Sequence, residues 1–81
     1  MPDVRRHGLP RAVFRHLLDR IQTREIPADQ LGLLADWLDT KPVVPVGRWF
    51  KRFPAMNVCG EGELVKTVLT KDQSPFGEEV V

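Results

Sequence analysis

The sequence predicts an α+β fold: an N-terminal helical hairpin packed on a small C-terminal antiparallel β-sheet or hairpin. Three observations carry this. Before Pro42 apolar residues recur at helical spacing, most clearly Leu31, Leu34, Ala35 and Leu38 at i, i+3, i+4, i+7. After Pro42 short runs alternate apolar and polar residues, as in Leu64–Thr70. Glycine and proline punctuate those runs at Pro45, Gly47, Pro54, Gly60, Gly62 and Pro75. One domain over residues 1–81 follows: an arm over 1–8, two helices over 9–40, a β-hairpin region over 46–70, and a loop and tail over 71–81.

Pro2 and Gly8 disfavour helix, so the first eight residues read as a loose arm. A helix starts near Leu9 or Pro10, since proline suits a first turn where its missing N–H costs nothing. At 100° per residue Val13, Phe14, Leu17, Leu18 and Ile21 form one broad apolar stripe, with Arg11, Arg15, Asp19 and Gln22 opposite or flanking it. Pro27 disfavours α conformation at Ile26 and ends this helix near Thr23 to Glu25. A second helix opens at Pro27 or Ala28, with Asp29 at the positive end of its dipole, and stops before Pro42. Leu33 and Trp37 form a second stripe on it, rotated from the first.

Val43 to Val46, flanked and split by Pro42 and Pro45, reads as an extended crossing. Arg48 to Phe53 alternates Trp49, Lys51 and Phe53 against Phe50 and Arg52, so neither face is plainly solvent. Met56 to Cys59 is a short strand, Gly60-Glu61-Gly62 a turn, and Glu63 to Thr70 the best strand. Glu78 to Val81 is either a short edge strand or a free tail.

Composition sets the class. With 42% hydrophobic and 28% charged residues the chain is ordinary for a globular protein rather than a disordered one. At 81 residues it buries roughly 60–65% of its unfolded surface, a margin that self-association would improve. A single cysteine excludes an internal disulfide and fits a reducing compartment, so a cytoplasmic protein is expected. Residues 1–30 lack the long apolar run of a secretory leader, and no stretch reaches the ~20 apolar residues of a membrane span. The net charge of +1 conceals an asymmetry. Residues 1–24 hold six arginines against Asp3 and Asp19, a net of +4, whereas residues 25–81 hold six basic and nine acidic side chains, a net of −3.

Few residues carry chemistry. The run from Gly60 to Thr67 has a Lys-Thr pair but Val65 where a phosphate-binding loop needs glycine, and two glutamates that repel an anion; a β-turn feeding a strand is the better reading. Cys59 has neither His7 nor His16 at a telling spacing, and a small buried hydrophobe is its simpler role. One cysteine and two histidines do not make a zinc set, and Asp29, Asp36 and Asp39 lack the spacing of a calcium loop. Glu61 and Glu63 straddle a glycine at a turn tip, where acid–base work is not expected. No catalytic residue, cofactor or metal is therefore expected.

Two functional readings remain. The preferred one is a non-enzymatic protein–protein interaction module that self-associates, with Leu33, Trp37, Trp49, Phe50 and Phe53 as contact residues. Its grounds are small size, the absence of a catalytic set, and a charge asymmetry complementary to itself. The competing interpretation of the Leu33 and Trp37 stripe is internal packing, with one stripe of the helix meeting its neighbour and the other the sheet. The alternative function is nucleic-acid binding through Arg5, Arg6, Arg11, Arg15, Arg48, Lys51 and Arg52, since basic residues interleaved with aromatics grip phosphate and stack on bases. Against it stands the acidic second helix, which would have to face phosphates. A membrane partner is not expected.

Overall fold

The computed structural model describes residues 3, 4 and 8–80. Two helices precede four strands: α1 (Arg11–Gln22), α2 (Asp29–Asp39), β1 (Arg48–Phe53), β2 (Met56–Glu61), β3 (Leu64–Thr70) and β4 (Glu78–Val80). The α+β class expected from the periodicity is the class observed.

Pro10 opens α1 at φ −61°, and its carbonyl accepts the first helical bond, from the Phe14 N–H at 3.0 Å. The helix ends in a paired-bond cap. Arg24 takes a left-handed φ of 64°, its N–H bonds to the Ile21 carbonyl, and the Glu25 N–H reaches the Arg20 carbonyl at 2.9 Å. The chain then drops Ile26 into the core and starts α2, with Asp29 in its first turn. α2 closes similarly, with Lys41 at φ 53° and its N–H on the Leu38 carbonyl. Pro42 follows and has no N–H to make the second cap bond.

The sheet has the order β3-β2-β1-β4. β1, β2 and β3 form an antiparallel meander, as the turn signals predict. Gly62 stands first in the two-residue turn between Glu61 and Leu64 with φ +57°, an arrangement that matches the right-handed twist of the strands it joins. Of the Gly60-Glu61-Gly62 run only Gly62 turns. Gly60 is paired in β2 directly opposite Trp49, whose indole occupies the space a side chain would need. Lys66 is the extra residue of a bulge, since Cys59 pairs with Thr67 while Gly60 pairs with Val65.

The fourth strand differs from the expected antiparallel sheet. β4 runs parallel to β1, so the sheet is mixed. The cause is the route. The seven residues 71–77 cross from one edge of the sheet to the other on the face away from the helices. The Asn57 side chain donates to the Gln73 carbonyl, and Phe76 lies against Arg48. Arriving by a crossover, β4 keeps the direction of β3 and hence of β1.

Both helices cover the other face. Leu17 of α1 and Leu34 and Leu38 of α2 join Trp49, Met56, Val58, Val65 and Val68 in one core cluster. Each such side chain contributes about 1.5–3 kcal/mol on leaving water. α1 rests on β3 and α2 on β1, and the helices touch each other little. Within the expected N-terminal arm Asp3 bridges Val43, the Val4 N–H bonds to the Pro42 carbonyl, and Val4 is fully buried, so these two residues are tied down; residues 1, 2 and 5–7 lie outside the described residues.

Candidate interaction surface

The two residue sets singled out by sequence separate in three dimensions. Of the five apolar contact residues, Trp49 is wholly buried and its indole N–H donates to the Gly62 carbonyl at 2.8 Å. Trp37 packs on it at 5.7 Å between ring centres and meets Phe53 edge-on at 6.0 Å. These three aromatics bind α2 to β1, so Trp37 serves internal packing and Trp49 offers no surface to a partner. Phe50 is nearly buried on the opposite face of the sheet, beneath the Arg52 guanidinium at 5.5 Å. Leu33 alone of the five is substantially exposed, at 38%.

The basic set does not form one face. Arg11 and Arg15 lie exposed on α1, in the helical layer. Arg48 and Arg52 alternate with Lys51 along β1, which sends them to the opposite side of the sheet. There Arg48 lies over Phe76, and Arg52 pairs with Glu79 at 3.7 Å. Lys51 points to the helical side, over Phe53 at 5.8 Å. Arg5 and Arg6 lie outside the described residues.

Cys59 sits on the crossover side, in a hollow of about 290 Å³ lined also by Arg48, Glu61, Lys66 and Phe76. Burial pushes its thiol above the ordinary value of 9.0, against a smaller opposite effect from a hydrogen bond with the Phe76 backbone. A nucleophile needs the reverse shift. Among the described residues no group of three or more His, Cys, Asp or Glu could hold a metal ion. None of their helices is long and apolar enough to cross a membrane.

The feature sequence reading missed is the gap between the helices. Phe14, Leu31, Leu34, Ala35 and Leu38, with Leu9 at its end, line an apolar cleft of about 120 Å³. Phe14, which lines it, and Leu18, one turn further along α1, each remain 37% exposed. Both belong to the broad apolar stripe of α1. Leu17 fills the space above β3, and at 100° per residue Phe14 and Leu18 then swing away from the sheet toward α2. α2 stands too far off to cover them, because its Trp37 is anchored on β1. The width of the α1 stripe, five apolar residues for one narrow contact, is the signal that could have found this surface. Charge borders it unequally. Arg11 and Arg15 flank Phe14 and Leu18 on α1, whereas Asp36 and Asp39 lie past Ala35 on α2. Comparison with protein-family models, with curated proteins and with solved structures gave no match.

Proposed function

We propose that this chain is a non-enzymatic protein–protein interaction module whose contact surface is the helical layer, centred on the cleft between α1 and α2. The observation that carries the reading is Phe14, left 37% exposed at the rim of an apolar cleft, with Leu18 equally exposed one turn along the same helix. Large apolar side chains grouped around a concavity and rimmed by charge are the usual anatomy of a protein-binding patch. The nucleic-acid reading has less support, because among the described residues Arg11 and Arg15 lie on one side of the sheet and Arg48 and Arg52 on the other, so these four cannot follow one backbone together.

Photocrosslinking in cells tests the proposal. A benzophenone amino acid replaces Phe14 or Leu18 on the helical layer, or Phe76 on the far face. A discrete protein adduct from the first two positions, and none from Phe76, is expected. No adduct at Phe14 and Leu18, or equal adducts on both faces, rejects the helical layer as the contact surface.

A further inference from the structure

We infer that the occupant of the helical cleft is a second copy of this chain, related by a two-fold axis running along the cleft. This rests on the interaction reading above and names its partner. The argument is one of charge and shape. α1 exposes Arg11 and Arg15 against Asp19, its Arg20 being paired with Glu25 at 3.5 Å, while α2 exposes Asp29 and Asp36 and has no basic residue. Among the described residues no salt bridge engages Arg15 or Asp36 within the chain. A two-fold axis along the cleft lays α1 of one copy over α2 of the other, twice. Each basic rim then meets an acidic one, and the two apolar floors close on each other. In an isologous interface every such contact is made in duplicate, so a surface with one basic and one acidic half is complementary to itself.

Shape supports the same pairing. Gly32 sits in the interior of α2, where glycine costs about 1 kcal/mol relative to alanine. Nothing lies within 4 Å of the position its Cβ would occupy, so packing within the chain does not require it. On the helix it lies next to Ala35, on the side leading from the cleft to Asp36. A missing side chain there leaves a depression. In the proposed dimer Leu18 of the partner fills it and Arg15 of the partner reaches Asp36.

Sedimentation of the full chain distinguishes the outcomes. The wild-type protein is expected to sediment as a dimer. Arg15→Glu and Asp36→Arg, each placing like charges together at two symmetric points, should each raise the dimer dissociation constant by about a hundredfold. The double variant Arg15→Glu/Asp36→Arg should restore it. Gly32→Leu should also give a monomer, with an unchanged circular dichroism spectrum, since a Cβ at this exposed position has no neighbour within 4 Å. A wild-type monomer at every soluble concentration overturns the inference. So does a dimer indifferent to both reversals, or a double variant no better than the singles. Adducts at Phe14 to a different protein, together with a wild-type monomer, would overturn self-pairing while leaving the interaction module standing.

Discussion

Gly60 and Trp49 are closely matched across β1 and β2. A Cβ at Gly60 would fall 2.2 Å from the Trp49 indole and 2.6 Å from the Leu64 carbonyl oxygen. Neither can retreat, since the indole is fully buried and tied to Gly62 and the carbonyl belongs to β3. Gly60→Ala should therefore destabilise the chain by about 2–3 kcal/mol, read as a lower midpoint of urea unfolding. Arg24 presents the opposite case: its left-handed φ of 64° is strained for any residue with a side chain. Arg24→Gly should raise stability by about 0.5–1 kcal/mol in the same assay. Cys59 links pH to folding. Its thiol is held above 9.0 in the fold, so the folded state keeps a proton the unfolded chain has already lost. That contribution is fully present below the unfolded value and fades as pH rises through the folded one. Alkylation by iodoacetamide near pH 8 should accordingly be slower in the native chain than in urea, and faster modification in the native chain would contradict the burial seen.

At the scale of elements, α2 is held from two sides. Trp37 enters the angle between Trp49 and Phe53, and the buried Gln30 accepts the Ala55 N–H at 3.1 Å, so that α2 caps the β1–β2 turn. Trp37→Ala should cost about 2–4 kcal/mol of stability while leaving the oligomeric state of the folded fraction unchanged, because the ring faces inward. A loss of association without a loss of stability would instead return Trp37 to the contact surface. The helix boundaries were legible in the sequence from Pro10, Pro27 and Pro42, since proline fixes φ and withholds a donor wherever it stands. The strands β1 and β3 were legible from alternation and from their flanking Gly and Pro. Gln30 was not, because a polar residue in an amphipathic helix has no pattern that distinguishes solvent from a turn 25 residues away.

For the whole molecule, the mixed sheet divides the surface into a helical side and a crossover side. This division bears on the two functional readings. The seven basic residues look like one set along the chain, yet β1 alone distributes Arg48 and Arg52 to one side and Lys51 to the other. Titration of random duplex DNA by fluorescence anisotropy at low and moderate salt should therefore show no binding that falls steeply with salt. A steep salt slope would measure several phosphates contacted together and would favour the arginines over the cleft.

The sequence by itself determined the period of each segment, the places where proline and glycine stop it, and thus the α+β class. These are local properties, fixed by the φ and ψ each residue permits and by which side chains share a face. Only the tertiary structure decided which apolar stripe is covered. Trp37 and the α1 stripe look equally apolar along the chain. The first is buried because α2 leans on β1, and Phe14 and Leu18 remain exposed because α1 leans on β3 and the helices stay apart. Likewise, the direction of β4 came from the route of the crossover, which no pattern within Glu78–Val80 encodes. Pairing over long sequence separations is set by competition among whole elements for the same core, and that competition is resolved only when the chain is folded.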